Sequence, residues 1–214
     1  PMTEKIRGRS SHQTLADNWG SIDLVPGKTK IVVTRKLPDV IETRMMELFD
    51  TRLNRDDRPM SQAELIEAVK SADVLVPTVT DRIDKGVLSQ AGADLKLIAT
   101  FGTGVDNIDV EHATAKGIVV TNARYSNSQS VAEHALGMII GLLKDFIRLD
   151  ASTRAGNWEK ATYFGGELRG RHIGLIGYGG NGRALANLLK PFGVTISVYD
   201  PYLGHNADFS GVTR

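Results

Sequence analysis

The chain has 214 residues and a mass of 23.2 kDa, 41% hydrophobic and 24% charged, with 26 Lys and Arg against 25 Asp and Glu. That balance leaves no nucleic-acid footprint and no basic membrane-surface segment; the lack of cysteine removes disulfides, thiolate metal sites and Cys nucleophiles, and fits a cytoplasmic protein. The longest apolar run, Ala135 to Leu143, is nine residues and falls short of the ~30 Å of a bilayer core.

Pro1 to Thr29 is polar and unperiodic, without the apolar core of a signal peptide, and reads as a flexible extension over 1–29. Lys30-Ile31-Val32-Val33-Thr34 has strand character, and from Asp39 a helical period places Val40, Ile41, Met45, Leu48 and Phe49 on one side. Ser61 to Glu64 forms a capping box that opens a helix through Leu65, Ile66 and Val69. Strand Val74 to Val76, helix Asp84 to Ala91, strand Leu95 to Ala99 and helix Val110 to Lys116 follow. Gly117 ends that last helix before strand Ile118 to Thr121. Strands alternating with helices of this length imply βαβ units around a parallel sheet, so residues 30–124 are expected to form a flavodoxin-like, doubly wound α/β domain.

Asn122 to Asn127 interrupts the pattern as a hinge. A long helix is expected over 128–149, apolar nearly all round in its middle and therefore buried. Gly137 and Gly141 share one of its faces, for close packing within the chain or between subunits. After Gly165, Gly166 and Gly170, a second βαβ unit begins at His172. Residues 125–214 are therefore expected to form a partial Rossmann dinucleotide-binding domain.

Gly177-Tyr178-Gly179-Gly180-Asn181-Gly182 fits G-x-G-x-x-G directly after the strand Ile173 to Ile176 and opens a helix reaching Phe192. Gly177 allows the tight turn, Gly179 the approach of a pyrophosphate, and Gly182 close helix–strand packing, while the helix N-terminus attracts the anion. A second strand, Val194 to Tyr199, ends at Asp200, 18 residues beyond Gly182. A carboxylate there accepts from ribose hydroxyls and repels a 2′-phosphate, which favours NAD over NADP. The competing readings are a glycine-rich turn in an unrelated α/β protein and a methyltransferase cofactor loop. Phe101-Gly102-Thr103-Gly104-Val105-Asp106-Asn107-Ile108-Asp109 lies at the C-terminal end of a parallel strand, where open α/β sheets bind ligands. Its backbone N–H groups are candidates to hold a carboxylate.

Together with Lys116-Gly117-Ile118, Thr121-Asn122, Ser130-Val131-Ala132-Glu133-His134 and Gly170 to Gly179, these stretches resemble the D-isomer-specific 2-hydroxyacid dehydrogenases over about Lys30 to Tyr202. The resemblance implies two α/β domains with a cleft between them, NAD(P) on the second, a homodimer, and hydride transfer with small 2-keto or 2-hydroxy acids. It places Gly102, Thr103 and Gly104 at the substrate carboxylate, with Thr103 also toward the nicotinamide. It places Gly177, Gly179, Gly180, Asn181, Gly182 and Asp200 at the dinucleotide. Asn127 matches a substrate asparagine of the formate-specific branch, or else simply starts a helix.

Three departures stand out. Arg124 replaces a proline common in relatives, and Gly180-Asn181 replaces a basic residue followed by Ile or Val. The family's Arg and His–Glu pair lie well after the dinucleotide motif, yet only 14 residues follow Asp200, none of them Glu. Asn122-Ala123-Arg124 is a decoy of the family's Asn-x-Ala-Arg motif. None of the five histidines, His12, His112, His134, His172 and His205, is expected to be catalytic. The expectation is a fragment, a truncated gene product or an assembled chain, with binding elements but no independent turnover. The alternative is a non-catalytic NAD(H)-binding or dimerisation module.

Overall fold

Short β-branched segments and capped helices alternate along the chain, and in the computed structural model they build two parallel sheets. Residues 28–203 and 211–213 are described. They divide into two compact units that meet between Asn122 and Ala123.

The first unit contains β1 (Lys30–Val33), α1 (Asp39–Leu48), β2 (Asp50–Arg52), α2 (Gln62–Ser71), β3 (Val74–Val76), α3 (Lys85–Ser89), β4 (Leu97–Thr100), α4 (Val110–Ala115) and β5 (Val119–Asn122). The sheet order is β2-β1-β3-β4-β5 with every pairing parallel, the flavodoxin-like order expected of a doubly wound domain. Alternation along β1 sends Val32 to one face, with Leu75, Ile98 and the apolar sides of α2, α3 and α4. It sends Ile31 and Val33 to the other face, with Leu37, Val76 and, from α1, Met45. Each of the three helices on the first face starts on a side-chain cap. Ser61 and Glu64 form the capping box of α2, Asp84 accepts from Val87 N (3.2 Å), and Asp109 accepts from His112 N (2.9 Å).

One strand lies outside the expected elements, and one expectation is corrected here. Strand β2 pairs Ile31 with Thr51, although Asp50-Thr51-Arg52 carries no apolar alternation; as a three-residue edge strand it needs only backbone bonds. The apolar side expected of α1 is also largely exposed, with Val40 at 74%, while Glu42 is buried. The Glu42 carboxylate turns inward because it accepts from Leu37 N (2.8 Å) and from Lys36 Nζ (3.4 Å).

The second unit contains α5 (Ser128–Leu143), α6 (Phe146–Arg154), β6 (His172–Ile176), α7 (Gly180–Leu189), a 3₁₀ turn (Lys190–Phe192) and β7 (Thr195–Tyr199). Strands β6 and β7 pair in parallel from His172↔Thr195 to Ile176↔Tyr199. Thr213 lies along β7, with Val198 N donating to Thr213 O and Thr213 N to Ile196 O, both at 2.8 Å. The expected helix over 128–149 is two helices. Asp145 takes φ +51, and the carbonyl of Leu143 accepts from Gly166 N (2.9 Å) instead of continuing the ladder. The expected all-round burial is corrected as well. Leu136, Ile139, Ile140 and Leu143 pack with α7 and the two strands, whereas Met138 and Leu142 are exposed at 53% and 80%. Two strands and one helix cover a single face of α5. Nothing among the described residues lies within 4 Å of a β-carbon placed on Gly137.

Candidate functional site

In the first unit, the C-terminal ends of β3 and β4 carry two loops tied together by side chains. Asp81 is 3% exposed, and its Oδ2 accepts from Thr34 Oγ1 (2.5 Å), Thr78 N (2.7 Å) and Thr78 Oγ1 (3.1 Å). From the glycine-rich loop, Asn107 Nδ2 donates to Thr78 O (3.0 Å) and to Asp81 O (2.7 Å). Ile83 N donates back to Asn107 O (2.9 Å). These bonds hold Val79 against Gly102, where a β-carbon would meet Val79 Cγ1 at 2.5 Å. Further along, Asn122 Nδ2 donates to Thr103 O (2.6 Å), so the Thr103–Gly104 peptide plane is fixed from the end of β5. Thr103 is exposed, and Gly102 and Gly104 are half-buried. The three candidate carboxylate-binding residues thus sit together on a loop whose two ends are anchored.

In the second unit the chain leaves β6 through Gly177, whose φ of +96 is left-handed backbone that a side chain would strain. Gly182 lies so close to this turn that a β-carbon on it would be 2.3 Å from Gly177 O. Helix α7 begins on Gly179, which provides no side-chain cap, and its first ladder bond runs from Arg183 N to Gly179 O (3.0 Å). The N–H groups of Gly180, Asn181 and Gly182 therefore lack intrahelical acceptors. Among the described residues, its chain neighbours apart, no atom lies within 4 Å of a β-carbon on Gly179. The protein's own packing does not require glycine there, whereas a phosphate seated on the helix terminus would.

Asp200, at the end of β7, reaches back to this turn: Oδ2 accepts from Tyr178 N (2.8 Å) and Oδ1 from Tyr202 N (2.9 Å). These backbone donors, with the Arg183 guanidinium behind them, hold its carboxyl below the usual carboxylate range. Each oxygen keeps a lone pair for a further donor. The residues of the turn and Asp200 thus fit a dinucleotide: a glycine-walled helix terminus for the phosphates and an ionised acceptor for hydroxyls.

Gly177, Gly179, Gly180, Asn181, Gly182 and Asp200 are gathered in the second unit, and Gly102, Thr103 and Gly104 in the first. Thr103 does not join the other dinucleotide candidates within one unit. Asn127 starts α5 without a side-chain cap. His112 Nε2 lies 3.3 Å from Ser89 Oγ and His172 Nε2 lies 2.7 Å from Ser197 Oγ; His12 and His205 fall outside the described residues. Asp81 is absent from the sequence-derived candidates, and Asn122 enters them only as the start of the hinge, in the Thr121-Asn122 stretch and in the decoy, not as a partner of the Thr103 carbonyl. The signal for Asp81 was present: Thr78-x-x-Asp81 after a strand is the spacing at which an aspartate closes a turn onto a Thr backbone N–H. Asn122 offered none, because its partner lies 19 residues away.

A flavodoxin-like sheet followed by a strand–glycine turn–helix unit with a strand-terminal Asp defines an α/β protein with a dinucleotide-type glycine turn. The D-isomer specific 2-hydroxyacid dehydrogenase catalytic domain matches residues 31–211, and the chain belongs to that family. Glyoxylate reductase of Thermococcus litoralis is 34% identical over 179 residues, covering 80% of this chain and 54% of that protein. D-3-phosphoglycerate dehydrogenase of Methanocaldococcus jannaschii is 40% identical over 144 residues, 67% of this chain and 27% of that protein. Among solved structures, D-lactate dehydrogenase of Aquifex aeolicus, complexed with NAD and lactic acid, superposes with a TM-score of 0.67 at 26% identity. That match covers 83% of this chain and 53% of the other. The chain therefore spans about half or less of the length of these relatives.

Proposed function

We propose that this chain carries the substrate-side unit and the dinucleotide turn of an NAD-dependent oxidoreductase of small 2-hydroxy and 2-keto acids. The observation that carries the reading is the bare first turn of α7, open above Gly179 and tied through Tyr178 N to the Asp200 carboxylate. Gly177, Gly179, Gly180, Asn181 and Gly182 hold the pyrophosphate by backbone N–H groups, and Asp200 accepts from the adenosine ribose. The Asp200 charge repels a 2′-phosphate, so NAD is preferred to NADP. When bound, the nicotinamide accepts or donates hydride. The Gly102–Gly104 backbone holds the substrate carboxylate, with Asn122 fixing the peptide that presents Gly104 N–H. None of the described residues is assigned the part of the proton donor in this reading, and binding without turnover is the expected behaviour.

The test is direct. Purified 214-residue protein is titrated with NADH by fluorescence, then assayed for NADH oxidation with glyoxylate, hydroxypyruvate, pyruvate and 3-phosphohydroxypyruvate. Saturable binding without turnover is the expected result. Turnover means that an acid and an anion-binding group lie within these residues; a folded sample that binds no NADH removes the reading.

A second reading, a dinucleotide-binding dimerisation module, is favoured by the apolar surface that α5 and α6 leave open: Val131, Met138, Leu142, Phe146 and Ile147 are all exposed. We infer that a second copy of the chain covers it, and both readings share this homodimer.

A further inference from the structure

Gly180 opens α7, and the space its absent side chain leaves is already filled. A β-carbon there would lie 2.3 Å from Tyr125 Cδ1, 2.8 Å from Tyr125 Cε1 and 2.7 Å from Ser128 Oγ. A side chain at position 180 would therefore have to displace the ring of Tyr125, from the segment that enters α5. That ring is held there by an uncommon backbone. Tyr125 has φ +67, a left-handed conformation rare for a bulky residue, and its carbonyl accepts from Ser128 N (3.2 Å). Such strain persists only where the surroundings enforce it, and it marks segments with a task beyond connection.

The ring carries a cation. Arg124 Cζ lies 4.7 Å from the centroid of Tyr125, a stacked guanidinium–aromatic pair. Arg124 is exposed, and no carboxylate forms an ion pair with it among the described residues. One aromatic ring thus links an unpaired guanidinium to the first residue of a helix whose leading N–H groups have no acceptor. A guanidinium held over a ring in this way can still present N–H donors, the groups that match phosphate oxygens.

We propose that Arg124 is a phosphate-binding residue of the dinucleotide turn, carried beside the first turn of α7 on the Tyr125 ring, which lies in the space that a side chain at position 180 would take. The proposal rests on the reading that this turn holds a dinucleotide. It gives the two residues distinct roles: Arg124 contacts the pyrophosphate, and Tyr125 positions Arg124.

The experiment compares wild type, Arg124→Gln, Arg124→Lys and Tyr125→Leu in titrations with NADH, ADP-ribose and adenosine at two salt concentrations. Losing one charge-assisted contact should weaken NADH and ADP-ribose about tenfold in Arg124→Gln. Adenosine, which has no phosphate, should bind unchanged, and the salt dependence of ADP-ribose binding should flatten. Arg124→Lys should recover part of the affinity, and Tyr125→Leu should fall between wild type and Arg124→Gln. Equal ADP-ribose affinity in wild type and Arg124→Gln overturns the proposal while the dinucleotide reading stands. Equal losses for adenosine and ADP-ribose also overturn it, since they show a general distortion of the unit. Wild type that binds neither NADH nor ADP-ribose overturns both.

Discussion

Asp81 shows how much a single buried carboxylate can organise. Its Oδ2 accepts two bonds from Thr78 and one from Thr34, and its carbonyl accepts from Asn107. Asp81→Ala leaves the Thr78 N–H without its acceptor and the buried Thr34 hydroxyl with only its long bond to Val76 O (3.4 Å), at a cost of about 1–3 kcal/mol, measurable as a shift of the urea midpoint. The same substitution should weaken any keto-acid binding at Gly102–Gly104 only modestly, through a looser Thr78 beside Val79, because the Asn107 bonds to the Thr78 and Asp81 carbonyls remain. A midpoint within error of wild type would show that water replaces the carboxylate and that the loop does not depend on it. The glycines, by contrast, could be read from the chain alone. The φ of Gly177 and the contact of Gly182 with Gly177 O are the tasks their spacing assigned them. Gly180 could not be read that way, because the ring that lies in its side-chain space belongs to Tyr125, 55 residues earlier.

At the scale of elements, caps and periods were legible and surroundings were not. The Ser61–Glu64 capping box forms as its spacing requires, with Ser61 N donating to Glu64 Oε2 at 2.8 Å. Arg58 pairs with the same carboxylate, and it and the Ser61 donors lower the Glu64 pKa to about 2. Because the folded value lies below the ordinary 4.5, this contribution is complete above about pH 4.5 and is lost as the pH falls toward 2. Protection of the first-turn amides of α2, taken relative to their intrinsic exchange rates at each pH, should therefore fall over that range in wild type. Glu64→Gln should exchange faster at neutral pH and show no such transition; a wild-type profile flat to pH 2 would remove the linkage. The exposed face of α1 and the break at Asp145 had no such local signature. Helical period says that one side is apolar, not that anything covers it. The break depends on Gly166 N reaching the Leu143 carbonyl from a distant loop.

For the whole molecule, the described residues leave a continuous run of apolar side chains uncovered from Val131 through Met138 and Leu142 to Phe146 and Ile147, the last 87% exposed. Monomers rarely leave such patches free. Leu142→Glu with Ile147→Glu should convert the expected dimer to a monomer in sedimentation velocity while leaving NADH binding intact. A wild-type chain that sediments as a monomer at high concentration would remove the pairing. None of the helices among the described residues is long and apolar enough to cross a membrane.

The chain by itself determined the αβ alternation, the parallel sheets, the helix caps and the glycine turn, together with the family to which they belong. Those features rest on short-range rules: strand and helix periods, caps three residues apart, and left-handed turns that need glycine. The tertiary structure alone decided that Asp81 and Asn107 lash two loops together and that Asn122 orients the Thr103 peptide. It also decided that α5 has an uncovered face and that Tyr125 lies in the side-chain space of position 180 while carrying Arg124. Each of those depends on atoms far apart in the chain, whose meeting is set by how the sheets pack and not by local spacing.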